Sequence, residues 1–311
     1  MLSTPSQSLT GLVALALLIL GAPIIPGIVT RTKSIAAGRR GAPVWQLYAD
    51  LWKLARRGTV YSTTTTWAFR LGPVALVATT LAAATLLPLD GRASAVRFAG
   101  DAVAFAYLLA LGRFAIVLAA LDTGSSFEGM GASREVAFAS MAELGLFIAL
   151  AALGLMAHSL TLSDMLGDMP AGSFSSGAAA GSSVLLAGSL FALALAECSR
   201  VPVDDPATHL ELTMIHEVMV LDHSGPDLAM ILYASALKMA LFAGIIVNAL
   251  IPGLRGGGWT GIAWLLGSYV VIGAAIGIVE SVVARLRLVR VPLYIAAGSS
   301  LALLGLLLQF R

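Results

Sequence analysis

Long apolar runs separated by Pro, Gly and clusters of charge dominate the chain. Eight of them reach the length of about 20 residues that a helix needs to cross a bilayer core. They predict spans near 7–29, 67–88, 101–121, 136–161, 182–197, 228–251, 261–283 and 291–310. The apolarity is continuous, whereas the strands of a membrane β-barrel alternate apolar and polar positions. Only helices and closed barrels satisfy every backbone group in lipid. The expected fold class is therefore all-α, a polytopic membrane protein of about eight transmembrane helices in a single integral membrane domain, 1–311. No basic residue precedes the first run, and Pro23 and Pro26 stand where a cleavage site would need small residues, so it reads as a retained helix. The fifth run is short and Ala/Gly-rich, and its start is also compatible with a position inside 172–183. Otherwise AGSFSSGAAAGSS at 171–183 reads as a flexible connector.

Two segments depart from this pattern. At 39–57 (RRGAPVWQLYADLWKLARR), Val44, Leu47, Leu51 and Leu54 recur at helical spacing with Trp45, Tyr48 and Trp52 beside them. The basic ends suit an amphipathic helix in the headgroup region, as a plain anchor or as a surface that also docks a soluble partner. At 197–227 (ECSRVPVDDPATHLELTMIHEVMVLDHSGPD) lie seven of the 17 acids and three of the four histidines. Asp205 before Pro206 is a helix-start signal. It predicts a helix that runs to about Leu221 and stops near Ser224-Gly225-Pro226. On such a helix Asp205, His209, Thr213 and His216 share a sector of about 80°, with Glu217 at its margin and Glu211 on the far side.

Composition and charge then narrow the chemistry. The chain is 58% hydrophobic and 12% charged, against about 25% charged in an ordinary soluble domain. A net charge of +2 gives no basic face for nucleic acid. The one cysteine, Cys198, excludes disulfides, thiolate-bound iron–sulfur clusters and four-cysteine zinc sites within this chain. When the loops after spans 1, 3, 5 and 7 are placed on one side, they hold thirteen of the 19 Lys and Arg against four opposite. By the positive-inside rule that side is cytoplasmic and both termini lie outside, which makes the chain a multi-pass protein of the cytoplasmic (inner) membrane.

Carboxylates and imidazoles at membrane depth are costly unless paired or hydrated, and they commonly mark ion or proton routes. Imidazole titrates near neutrality, which suits His209 and His216 to a proton relay with the acids around them. A metal site from His209, His216 and Glu211 is disfavoured because Glu211 faces away from the histidines. A solvated loop whose acids do nothing is the bland alternative. Within the spans lie Asp101, Arg113, Glu143 and Lys238, with Glu280 near the end of span 7. Glu143 is the strongest relay candidate, two turns beyond Arg134 and Glu135. Arg113 and Lys238 each read at least as well as the cation of a structural ion pair as they do as transport residues, Glu280 as a local partner of Arg285 and Arg287, and Asp101 as the cap of its span.

The run 197–217 closely resembles the membrane subunit of group 4 nickel–iron hydrogenases. That family includes formate hydrogenlyase subunit 4 and hydrogenase-4 component C and is homologous to respiratory complex I subunit 1. RRGAPVWQLYADLWK at 39–53, GRFAIVLAALDTGSSFEGMGASRE at 112–135 and ESVVARLRLVRVP at 280–292 agree with it as well. The resemblance implies a non-catalytic subunit with no cofactor of its own. Such a subunit docks the hydrogenase large and small subunits, with their nickel–iron centre, and iron–sulfur proteins onto the lipid bilayer, and couples their redox event to antiporter-like membrane subunits that move protons or sodium. It implies relay or coupling roles for Glu197, Asp204, Asp205, Glu211 and Glu217 and for Glu143 beneath them. Arg200, Pro202, Pro206, Arg134 and Glu135 would serve docking and loop structure. Complex I proper usually has Pro-Phe-Asp-Leu where this chain has Pro202-Val-Asp-Asp205, which disfavours bound quinone. A quinone-site subunit of an NADH-type oxidoreductase is the alternative, and a stand-alone ion transporter is disfavoured because no internal repeat is visible.

Overall fold

The computed structural model describes residues 5–91, 94–166, 177–205, 213–250 and 258–310. Among them there is no β-strand, and twelve α-helices follow one another. These are α1 (Pro5–Gly21), α2 (Ile24–Ala36), α3 (Gln46–Ala55), α4 (Trp67–Leu86), α5 (Asp101–Asp122), α6 (Ser126–Ala157), α7 (Leu162–Leu166), α8 (Gly177–Glu197), α9 (His216–Met219), α10 (Gly225–Leu250), α11 (Trp259–Val282) and α12 (Val291–Leu307). Seven helices are long and apolar enough to cross a membrane, and the pair α1–α2, bent by 50°, makes an eighth. The expected class and span count are thus observed. The start of α8 at Gly177 shows that 177–183, read as connector, is helical; residues 171–176 of that stretch lie outside the described residues.

The bend between α1 and α2 has a covalent cause. Pro23 has no N–H to give the carbonyl of Ile19, so the helical ladder fails there. Two phenols fill the gap: Tyr233 of α10 donates to the Ile19 carbonyl at 3.0 Å, and Tyr48 of α3 donates to the Leu20 carbonyl. The chain then doubles back along α2 so closely that the backbone of Val44 occupies the space a side chain at Gly27 would need. The amphipathic helix forms as expected but is shorter, because Pro43 and the turn at Val44–Trp45 delay its start to Gln46. Leu47, Leu51 and Leu54 face inward.

α4 and α5 form an antiparallel hairpin with a reciprocal cap. The Asp122 carboxylate, at the end of α5, accepts from the N–H groups of Thr66 (2.6 Å) and Phe69 (3.2 Å) at the start of α4. Gly72 meets Ala119 where the helices cross, the small-residue contact that lets spanning helices approach. α6, at 32 residues or about 48 Å, outlasts any bilayer core, and its first turns carry Glu128, Arg134 and Glu135. α10 is the most enclosed span and packs against α2, α3, α4, α8 and α11. The linkers after α2, α5, α8 and α11 gather at one end of the bundle. There Lys33 meets Glu280, Glu128 accepts from the Asp222 N–H, and Arg285 reaches the Thr213 carbonyl.

The acidic loop corrects one expectation. Instead of one helix from Asp205 to Leu221 that stops near Gly225, among the described residues of this stretch only His216–Met219 is helical, Thr213–Ile215 are not, and a new helix begins at Gly225. The cause is Asp204, whose Oδ2 accepts from the N–H groups of Ile215 (3.1 Å) and His216 (3.0 Å) and so starts α9 where it does. Pro206, His209 and Glu211 lie outside the described residues.

Candidate functional site

Four spanning helices bring charge to one buried point. Arg113, on α5, is buried and directs each side of its guanidinium at a different acid. Nη1 lies 2.7 Å from Glu143 Oε1 and Nη2 lies 2.5 Å from Glu197 Oε2, while Nε is 3.6 Å from Glu135 Oε1. Lys238, on α10, approaches the same Glu197 Oε2 at 2.8 Å. Glu135 and Glu143 are eight residues apart on α6, about two turns, so they stand one above the other on one face. Glu197 is the last residue of α8, and among the described residues its Oε1 has no hydrogen-bond partner. Arg113 and Lys238 therefore face three carboxylates, and with every group ionised the cluster carries one negative charge.

Two small cavities border this cluster, a third lies beside the acidic loop, and all three share Ser199, whose backbone is left-handed (φ 50°). One of about 40 Å³ is lined by Arg113, Glu135, Glu197, Cys198, His216 and Lys238. A second, of about 10 Å³, lies between Arg113, Glu135, Glu197 and Asp204. The largest, about 120 Å³, runs beneath α3 and is bounded by Pro26, Leu47, Arg200, Asp204, His216, Glu217 and Ser235. The first and third are large enough for water, which needs a cavity of at least about 10–15 Å³ with polar partners. His216 and Cys198 line both of them.

The acidic loop is held down by a second set of ions. Asp204 is buried, and its Oδ1 lies 2.9 Å from Arg285 Nη2 and accepts from the Asp205 N–H at 2.9 Å. Glu280 does not pair with Arg285 or Arg287 as expected; it meets Lys33 at 2.9 Å and Arg200 at 3.4 Å. α11 ends at Val282 with Val283 extended, which carries Arg285 away from Glu280 and over to Asp204 and Thr213. Pro202 accepts from the Leu286 N–H at 2.9 Å, and Arg134 donates to the Met214 carbonyl at 3.0 Å. Residues sorted separately from the sequence, Arg113 and Lys238 as cations of structural ion pairs and Glu135 with docking, are joined here to Glu143 and Glu197. Asp101 stands apart at the opposite end of the bundle, where it accepts from the Leu162 N–H at 2.6 Å. The sequence reading assigned nothing to Lys33, Glu128 or Tyr233; only the position of Glu128 in the first turn of a long helix could have drawn notice. Among the described residues no group of three or more His, Cys, Asp or Glu is arranged to hold a metal ion.

Beside this region, His223 is buried and stacks on Phe69 with ring centroids 4.0 Å apart. Burial pushes its imidazole down to about 4, against the opposing pull of Asp227 and Asp222.

Compared with known proteins, residues 9–309 match the family model described as NADH dehydrogenase. The chain is 33% identical over 236 residues to hydrogenase-4 component C of Escherichia coli (strain K12), covering 76% of this chain and 73% of that one. It is 30% identical over 293 residues to formate hydrogenlyase subunit 4 of the same organism, covering 91% and 92%. A subunit of the NADH-quinone oxidoreductase of Burkholderia vietnamiensis (strain G4 / LMG 22486) is 26% identical over 230 residues, 70% of this chain and 61% of that one. A chain in the structure of the membrane-bound sulfane sulfur reductase, an archaeal respiratory membrane complex, superposes with a TM-score of 0.82 at 18% identity, covering 96% and 98%.

Proposed function

This chain belongs to the NADH dehydrogenase family of membrane subunits related to complex I subunit 1, and on that premise we propose that it anchors and couples a complex-I-like membrane-bound hydrogenase. In this reading it has no redox centre. It docks a soluble arm of large and small hydrogenase subunits and iron–sulfur proteins, which hold the nickel–iron centre and the clusters, and it relays their redox event to antiporter-like subunits that move protons or sodium. The protein resides in the cytoplasmic membrane with both termini outside. The end that carries the linkers after α2, α5, α8 and α11 faces the cytoplasm, a placement supported by the thirteen-to-four distribution of basic residues.

The observation that carries the proposal is the buried cluster of Arg113, Lys238, Glu135, Glu143 and Glu197, with one carboxylate more than its cations neutralise. A carboxylate in excess over its cations at membrane depth is the kind of group that marks an ion or proton route. Glu197 joins this cluster directly to the loop, since Cys198 and Ser199 follow it and Asp204 fixes the loop to α9 and to Arg285. A change in the docked arm that moves the loop then alters the surroundings of Glu197 and, through the shared Arg113, those of Glu143 and Glu135.

Glu143→Gln tests the reading. The amide keeps the size of the side chain and a hydrogen bond to Arg113, so the complex should assemble while redox-coupled ion movement in proteoliposomes falls at least about tenfold. Undiminished coupling would leave Glu143 a structural acid. A second reading, a quinone-site subunit, draws on the 120 Å³ cavity beneath α3. A photoreactive quinone that labels residues around Leu47 and His216 would favour it.

A further inference from the structure

The segment from the middle of α2 to the start of α4 carries charge that the molecule does not neutralise. Residues 31–70 hold eight Lys and Arg against one acid, Asp50. Lys33 pairs with Glu280 and Lys53 lies 4.0 Å from Asp50, while Arg31 turns to the Gly41 carbonyl. Among the described residues, Arg39, Arg40, Arg56, Arg57 and Arg70 have no carboxylate within 4.0 Å. The deeper cations Arg113, Arg200, Lys238 and Arg285 each have at least one.

The same segment exposes aromatic rings. Along α3 and its two cap residues, Trp45, Ala49, Trp52 and Arg56 follow one another at intervals of four, three and four residues and share the outer face, opposite Leu47, Leu51 and Leu54. Trp45 is 68% and Trp52 61% exposed, and Trp67, the first residue of the span α4, is 72% exposed. The Arg56 guanidinium lies over the Trp52 ring, 4.2 Å from its centroid. Such rings in water would be an apolar patch; at the headgroup level of a bilayer they are in their preferred layer. Tyr48 fixes which environment this is, because it ties α3 to the Leu20 carbonyl of the spanning helix α1, where Leu20 itself is an exposed apolar side chain. The outer face of α3 is thus continuous with the lipid-facing side of α1.

We propose that this outer face is a binding surface for anionic phospholipid, with the Trp45 and Trp52 indoles in the interfacial layer and the Arg56 and Arg57 guanidiniums on the headgroup phosphodiester. A guanidinium stacked on an indole keeps its N–H edge free, and that edge matches two phosphate oxygens at once. The surplus of basic residues around it adds an attraction that a zwitterionic headgroup, with its own ammonium, does not return. This surface does not depend on how the charge cluster of Arg113 works.

Tryptophan fluorescence of the full chain in bilayers tests the proposal. Trp259→Phe with Trp264→Phe leaves emission only from Trp45, Trp52 and Trp67. Brominated phosphatidylglycerol should quench that emission at least about threefold more than brominated phosphatidylcholine at equal mole fraction, and rising salt should reduce the preference. Arg56→Gln with Arg57→Gln should bring the two lipids together. Equal quenching by both lipids in the protein with its native arginines would overturn the proposal in favour of an anchor without headgroup recognition. Quenching by neither would overturn it in favour of a face covered by protein. The native-arginine comparison decides by itself if the double variant is poorly recovered.

Discussion

Lys238 holds Glu197 twice, with its ammonium 2.8 Å from the carboxylate Oε2 and 2.7 Å from the main-chain carbonyl of the same residue. Glu197 ends α8, so that carbonyl is one of the unpaired acceptors every helix leaves at its C-terminus. A cation there meets the negative end of the helix dipole and the acid together. The start of the acidic loop and the charge state of the buried cluster consequently share one anchor.

Lys238→Met should therefore be more damaging than the loss of a surface ion pair. It removes this donor from the helix-end carbonyl and leaves the Glu197 carboxylate dependent on Arg113 alone, a loss of about 3–5 kcal/mol by analogy with broken buried pairs. Lys238→Met with Glu197→Gln should recover part of that stability, because the uncompensated anion is gone. Thermal unfolding of the solubilised protein measures both, and equal destabilisation of single and double variants would show that the pair is not coupled.

Arg113→Met should exceed both in effect, since three acids then face one cation. We expect loss of a monodisperse membrane protein, whereas Glu135→Gln, whose carboxylate stands 3.6 Å away from Nε, should leave recovery unchanged within measurement. Size-exclusion profiles after detergent extraction read the difference.

Asp204→Ala removes the acceptor for the Ile215 and His216 N–H groups together with the partner of Arg285. A lost cap costs about 1–2 kcal/mol, and the lost pair adds to it. Because the change is local, limited proteolysis within 200–224 should accelerate about tenfold or more while the spans stay protected. Asp204→Asn should give an intermediate rate.

The pH dependence of stability should trace to His223. Its imidazole is depressed to about 4 in the folded protein, against an ordinary value near 6.5. Between those values the unfolded chain binds the proton and the folded chain does not. Stability is therefore full above about pH 6.5 and is lost as the pH falls toward 4, at up to about 1.4 kcal/mol per pH unit. His223→Phe keeps the stack on Phe69 and should flatten the difference between pH 7 and pH 5 in thermal unfolding; an unchanged slope would assign it to other groups.

The spans could be read from the sequence because continuous apolarity needs no partner to be interpreted. The acidic loop was read in part. The segment that follows Asp205-Pro206 lies outside the described residues, and the acid that starts α9 is Asp204, acting across 12 residues on His216. The charged residues of the cluster were all visible, but their pairing was not. Arg113 and Glu143 are 30 positions apart and Arg113 and Glu197 are 84 apart, so only the crossing of α5, α6 and α8 brings them together. Glu280 illustrates the opposite error, in which neighbours in sequence, Arg285 and Arg287, were preferred over Lys33 and Arg200.

The proline bend in the first crossing also bears on biogenesis. The phenol that satisfies the Ile19 carbonyl belongs to Tyr233, 214 positions later in the chain. A membrane segment inserted first thus keeps an unsatisfied carbonyl at its bend until α10 arrives, and such a group in hydrocarbon is expensive. The finished geometry of α1 and α2 is accordingly a late product of synthesis. Truncation before α10 should yield a first span that remains bound to insertion machinery or chaperones instead of entering lipid on its own.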